Sequence, residues 1–198
     1  INTLSKSLDH SPSFRRRNIN IPLIKKVLRL SDFVVAQSTG MKSDLVSNFN
    51  IDERKIKVIP NPAMIIDPIL EDVDKENSIL FVGRIAPQKG LNYLFEAFKI
   101  VVQTYPEYQL IIVGSGKEEE VRKTKLLAQS MNLSKNIIFE GSQLNVSSYY
   151  KKAKLTVLTS LFEGFPNVLV ESISLGTPVV SFNCESGPID IVQNGNNG

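Results

Sequence analysis

From residue 77 onward the apolar positions fall into two alternating rhythms. Short apolar runs at 79–83, 109–113, 137–140, 155–158 and 178–182 read as strands, each bounded by polar or glycine-containing turns. Between them, 90–104, 117–131, 146–152 and 166–175 carry helical patterns; in the first of these Leu91, Leu94, Phe95 and Phe98 share one face. Gly176-Thr177-Pro178 ends the last helix sharply, and Glu118-Glu119-Glu120 reads as the acidic first turn of a helix. Earlier in the chain, Asp32 to Ala36 reads as a strand, 40–49 as a helix and 56–59 as a second strand. Strands that alternate with helices make a parallel sheet covered by helices, so the fold class is α/β. There is no internal repeat and no low-complexity tract.

A boundary falls between Pro60 and Asn77. Prolines 60, 62 and 68 interrupt regular structure there, and Glu71 to Asn77 is almost wholly charged or polar. The expected division is a first segment 1–62, a linker 63–76 and a main domain 77–198. Residues 1–60 are too few for a complete Rossmann-like unit. The 198 residues are 42% hydrophobic, enough for a globular core, and no stretch is long and apolar enough to cross a bilayer. The chain starts at Ile1 with neither an initiator Met nor a signal-peptide pattern, and reads as a piece of a longer protein.

Charge is unevenly placed. Residues 1–62 hold 11 Lys and Arg against 5 Asp and Glu, a net of +6, whereas residues 63–198 hold 12 against 15, a net of −3. The excess lies in Arg15-Arg16-Arg17 and in Lys25, Lys26 and Arg29, the latter three interleaved with Leu23, Ile24, Val27 and Leu28 at near-helical spacing. One reading is a peripheral contact with an anionic membrane surface. The other, favoured on sequence, is a solvated basic face on a packed helix. Nucleic-acid binding is not expected, because the basic residues carry no recognition motif and no interleaved aromatics. With one Cys and one His, a zinc site is not expected. Cys184 reads as a small buried hydrophobe, its lack of a partner pointing to a reducing compartment, and His10 as a turn residue.

Two segments carry candidate chemistry. In Leu161-Phe162-Glu163-Gly164-Phe165-Pro166-Asn167-Val168-Leu169-Val170-Glu171, two carboxylates stand eight positions apart across a predicted helix start. Pro166 suits the first helical position, and the amides of Asn167 and Val168 lie at the positive end of the helix dipole, where a phosphate is favoured. Glu163 precedes the helix in the loop that Gly164 lets turn; Glu171 lies further along. A phosphate at that end would have a carboxylate on either flank, able to accept from sugar hydroxyls. An ordinary helix start with acidic neighbours accounts for Glu163 equally well. The second segment is Phe81-Val82-Gly83-Arg84-Ile85-Ala86-Pro87-Gln88-Lys89-Gly90, where a strand ends at a glycine followed by two cations five positions apart. Arg offers a fork to two oxygens and Lys a mobile point charge, and a strand's carboxyl end in an open α/β sheet is where such a ligand binds. A solvated surface loop is the plain alternative.

Taken together, these segments resemble the retaining family-4 glycosyltransferases of the GT-B class. The resemblance runs from about Ser31 to Gly198 and takes in Val58-Ile59-Pro60-Asn61-Pro62, Ile112-Val113-Gly114-Ser115-Gly116 and Gly187-Pro188-Ile189-Asp190-Ile191. It implies a Rossmann-like donor domain at 77–198, cut short at its end, preceded by the tail of an incomplete acceptor-binding domain. It further implies that Arg84 and Lys89 hold the donor diphosphate, that Glu163 accepts from donor-sugar hydroxyls and that Glu171 binds the ribose. Gly83 ends the strand before those cations, Gly141 stands where the nucleobase loop begins, and the backbone of Gly164, Phe165, Pro166, Asn167 and Val168 cradles sugar and phosphate. The implied reaction is retaining transfer through an oxocarbenium-like transition state, with no obligatory metal and no other cofactor. UDP-sugars are favoured as donors, GDP-sugars next. The implied acceptor is a glycan or lipid-linked molecule of bacterial capsule or lipopolysaccharide synthesis, handled in the cytoplasm or at the inner face of the membrane.

Two other classes stay open on sequence. A non-catalytic nucleotide-sugar-binding module would keep the same residues. A dinucleotide-dependent oxidoreductase should show G-x-G-x-x-G after a strand, but Gly114-Ser115-Gly116 is followed by Lys117, Glu118 and Glu119, without the third glycine.

Overall fold

The computed structural model describes residues 21–62, 73–184 and 186–198. It divides into two compact units, one comprising Ile1–Pro62, Phe162–Pro166 and Asn183–Ile191, the other Ala63–Leu161, Asn167–Phe182 and Val192–Gly198. The expected linker 63–76 lies mostly outside the described residues, and so does His10.

In the first unit, α1 (Ile21–Leu30) is followed by β1 (Val34–Ala36), α2 (Thr39–Phe49), a 3-10 turn (Glu53–Lys55) and β2 (Ile56–Val58). The two strands pair in parallel, Val34 opposite Ile56 and Ala36 opposite Val58. Val34, Ala36, Met41, Leu45, Phe49, Ile51 and Ile56 form the core, with Ile24 and Leu28 of α1 packed against it. Both ends of α2 are closed. Ser38 caps its start by accepting from the Met41 N–H, and Asn50 turns left-handed (φ 55°) at its end, donating to the Val46 carbonyl.

The second unit contains β3 (Ser78–Val82), α3 (Leu91–Thr104), β4 (Gln109–Val113), α4 (Glu118–Ser130), β5 (Ile137–Gly141), α5 (Ser147–Lys152), β6 (Leu155–Leu158), α6 (Asn167–Ser174) and β7 (Val179–Ser181); α7 (Pro188–Ile191) returns to the first unit. Its five strands lie in the order β5-β4-β3-β6-β7, all parallel. Side chains alternate between faces along β3, as strand geometry demands. Ile79 and Phe81 join Leu91, Leu94, Phe95 and Phe98 of α3 and Ala128 of α4, whereas Leu80 joins Tyr150 and Ala153 of the α5 region and Leu175 after α6. Burial on both faces explains why β3 reads as a continuous apolar run.

The strand order reverses direction beside β3. The chain steps outward through β4 and β5, then returns to lay β6 on the other side of β3. In an open α/β sheet such a switch point leaves a crevice at the carboxyl ends of the two central strands. Phe81→Ala, which empties a site with no solvent exposure, is expected to lower unfolding free energy by about 3–5 kcal/mol. Val180→Ala, on the exposed side of β7, should change it by less than about 0.5 kcal/mol. Urea unfolding of the two variants measures both values.

Candidate functional site

The segment after β3 is shaped by what it must pass. Ala86 is extended, Pro87–Lys89 make one 3-10 turn with Pro87 at its first position, and Gly90 closes it at φ 59° before α3 begins. A side chain on Gly90 would meet the Thr159 carbonyl oxygen, so both conformation and space demand glycine. Two hydrogen bonds tie this turn to the end of β6. The Thr159 hydroxyl donates to the Lys89 carbonyl (2.9 Å), and the Leu161 N–H donates to the Gln88 carbonyl (2.9 Å). The loop carrying Arg84 and Lys89 is thus fastened across the switch point between β3 and β6.

The neighbouring loops stack on it through bare backbone. The Gly83 N–H donates to the Val113 carbonyl, Ile85 N–H to Ser115 and Gly114 N–H to Gly141 (2.9, 2.8 and 2.7 Å). A Cβ on Gly114 would strike the Gly83 carbonyl, and one on Gly116 the Ile85 carbonyl. The glycines of the V-G-S-G run therefore serve close packing of loops. Gly141, at φ 70°, ends β5 where the register against β4 slips by one residue. Arg84 is exposed, its Nη2 at 3.5 Å from Gln88 Oε1, a long contact. Lys89 is half-buried, and its Cε runs back beside Gly83, 3.6 Å from where a Cβ would stand. Both cations accordingly rise from the carboxyl end of β3.

Glu171 belongs to the same unit. Helix α6 starts at Asn167 and places Pro166 just before the helix rather than at its first position. Asn167 is exposed and Val168 half-buried; Leu169 and Ser172 are fully buried and anchor the helix against β6 and β7. The Ser172 hydroxyl donates to the Thr177 carbonyl (2.9 Å) and lies 2.8 Å from Thr156 Oγ1. Glu171 is one turn along, about 6 Å from the helix start, and its Oε2 accepts from the Tyr150 hydroxyl at 2.9 Å.

Glu163, Gly164, Phe165 and Pro166 belong to the first unit, where another segment shapes their loop. The Ser186 hydroxyl donates to the Glu163 carbonyl. Gly187 (φ 87°) packs beneath the turn: a Cβ there would lie 2.6 Å from Pro166 Cδ and 2.8 Å from the Gly164 carbonyl oxygen. Asp190 then clasps the start of α2, accepting from the Thr39 N–H (2.7 Å) and hydroxyl (2.6 Å). Glu163 itself is buried. Half-buried Cys184 has its thiol pKa raised, by burial first and by the Glu163 charge second, which suits the small-hydrophobe role expected of it. Tyr150, Ser186, Gly187 and Asp190 have their roles here through partners distant in sequence. Among the described residues, no three His, Cys, Asp or Glu side chains gather as a metal centre.

Comparison with known proteins agrees with this architecture. The sequence model for glycosyl transferases group 1 matches residues 65–198. An uncharacterized glycosyltransferase of Methanocaldococcus jannaschii is 32% identical over 180 residues, covering 85% of this chain and 44% of its own. The lipopolysaccharide 1,6-galactosyltransferase of Salmonella typhimurium is 33% identical over 176 residues, covering 85% and 47%. The chain thus spans less than half the length of these relatives. Among solved structures, a mutant of S. aureus TarM in complex with fondaparinux, alpha-GlcNAc-glycerol and UDP superposes with a TM-score of 0.80 at 23% identity, over 89% of this chain and 35% of that one.

Gly90→Ala is expected to cost at least about 2 kcal/mol, from the left-handed backbone and the displaced Thr159 carbonyl together; chemical unfolding reads it directly. The resemblance seen in the G-R-I-A-P-Q-K-G and E-G-F-P-N-V-L-V-E segments is confirmed along two thirds of the sequence, and the chain belongs to the glycosyl transferases group 1 family, with the GT-B type of α/β fold.

Proposed function

We propose that the protein carrying this chain is a retaining glycosyltransferase. It takes a hexosyl-type sugar from a nucleotide-sugar donor, a UDP-sugar before a GDP-sugar, and passes it to a glycan or lipid-linked acceptor in bacterial surface-polysaccharide synthesis. One observation carries this reading: the turn bearing Arg84 and Lys89 is pinned to the end of β6 at the switch point of the sheet. That is where an open parallel sheet receives a phosphate-bearing ligand.

The roles proposed for the residues are those the family resemblance implies, and charge supports them. As the bond between the anomeric carbon and the phosphate oxygen breaks, its electron pair passes to the departing nucleoside diphosphate. Arg84 and Lys89 offset that charge, and the amides at the start of α6 add the positive end of a helix dipole. With this much fixed positive charge, no obligatory metal is expected. Glu163 accepts from donor-sugar hydroxyls and Glu171 from the ribose; the backbone of Gly83, Gly141 and Gly164 to Val168 lines the donor. The Salmonella relative, by name a lipopolysaccharide galactosyltransferase, and the UDP-bound TarM structure support the pathway and the donor class.

A peripheral contact with the cytoplasmic face of an anionic membrane belongs to the same proposal. Helix α1 leaves Leu23, Val27 and Leu30 exposed along one stripe while Ile24 and Leu28 pack inward, and Lys26 borders the stripe. Among the described residues, no helix is long and apolar enough to cross a membrane.

In a melting panel, UDP is expected to raise Tm more than GDP or ADP. Glu171→Ala should weaken UDP binding by about tenfold or more. Arg84→Ala and Lys89→Ala should each lower turnover of UDP-sugar in the presence of acceptor by about 100-fold. A protein whose melting none of the three diphosphates shifts would refute the donor assignment; binding without turnover would leave a sugar-nucleotide-binding module. In flotation assays the protein should rise with anionic vesicles at low salt and not with neutral ones. Failure to rise with anionic vesicles would remove the membrane contact alone.

A further inference from the structure

Among the buried polar groups of the second unit, Tyr150 stands apart. It is fully buried between Leu80, Val113, Ala153 and Leu175, yet its hydroxyl reaches the half-buried carboxylate of Glu171 on another element. The residue is held at its backbone and at its hydroxyl. Its main-chain carbonyl accepts from the Thr177 hydroxyl (2.6 Å), and its hydroxyl donates to Glu171 Oε2 (2.9 Å). Burial, and then the neighbouring carboxylate, raise the tyrosine pKa far above its usual value, so the phenol remains a proton donor throughout the physiological range. Tyr149, next in sequence, is directed elsewhere and donates to Glu140 at 3.1 Å.

A glutamate on a helix surface has three rotatable bonds, and a ligand must order them on binding. A rigid donor on one oxygen removes that freedom beforehand, leaving Oε1, which has no hydrogen-bond partner among the described residues, for a ligand. We propose that Tyr150 is a positioning residue for nucleotide recognition: it fixes Oε2 of Glu171 so that the other carboxylate oxygen meets a ribose hydroxyl of the donor. This rests on the ribose role proposed for Glu171. A charge-assisted bond from a neutral phenol suits the task, because it orients the carboxylate without neutralising it. Nothing in the pair is redundant. Phenylalanine at 150 would fill the same cavity and lose only the donor.

The test is calorimetric binding of UDP and of 2′,3′-dideoxy-UDP, which lacks the hydroxyls Glu171 would hold. The unaltered protein should prefer UDP by about tenfold or more, as expected for hydrogen bonds to a charged group. Tyr150→Phe should weaken UDP about three- to tenfold and leave the dideoxy affinity unchanged, shrinking that preference. Added to Glu171→Ala, it should cost UDP binding nothing further. Leu175→Ala loosens the same cluster while leaving the phenol and the carboxylate of the pair in place, and should lower Tm while keeping the preference intact. A Tyr150→Phe protein that keeps the full preference overturns the positioning role. A Glu171→Ala protein that keeps it overturns the ribose role beneath. If Leu175→Ala erodes the preference as much as Tyr150→Phe, the effect is packing and the proposal fails.

Discussion

Backbone pressed on backbone at the carboxyl edge of the sheet is the constraint that shapes the second unit. Gly83 lies against Gly114, Gly116 against Ile85 and Gly90 against Thr159, at separations that exclude a side chain. Such contact lets the loops after β3, β4 and β6 continue hydrogen bonding beyond the strands that launch them. The turn with Arg84 and Lys89 is consequently a braced part of the sheet's rim, and a cation on a braced loop needs less reorganisation to meet a charged ligand.

Two kinds of carboxylate complete the picture, held by different means. Glu171 stands on a helix whose buried serine and leucine fix it to the sheet, with a phenol on one of its oxygens. Glu163 lies in a turn shaped by Ser186 and Gly187, whose own segment is clasped to the start of α2 through Asp190. The helix and the turn are each supported by a neighbour, through apolar packing, a hydrogen bond or a missing Cβ. Exposed ion pairs such as Lys123 with Glu119 contribute little by comparison.

Most of the fold was legible in the chain. From β1 to β7 the apolar runs and helical spacings located each strand and helix to within a residue or two, because the central strands β3 and β4 are buried on both faces and the helices on one; α1 and the short α7 were not bounded by them. Pro166 was expected as the first helical residue and instead stands just before it, a shift its missing N–H tolerates equally well. The cationic turn and the acidic segment announced themselves by spacing. Their supports did not. Nothing local distinguishes Tyr150 from Tyr149 in Tyr149-Tyr150-Lys151-Lys152, since which one is buried depends on how α5 docks. The clasp between Thr39 and Asp190 joins residues 151 positions apart, beyond any periodicity. Gly187 drew notice through resemblance alone, and its physical reason, the space under Pro166, is a tertiary fact.

The most direct test of the account is a crystal structure with UDP bound. The diphosphate should lie at the carboxyl ends of β3 and β6, with its oxygens about 3 Å from the Arg84 and Lys89 nitrogens and the ribose beside Glu171. A diphosphate bound away from this edge of the sheet, out of reach of both cations, would contradict it.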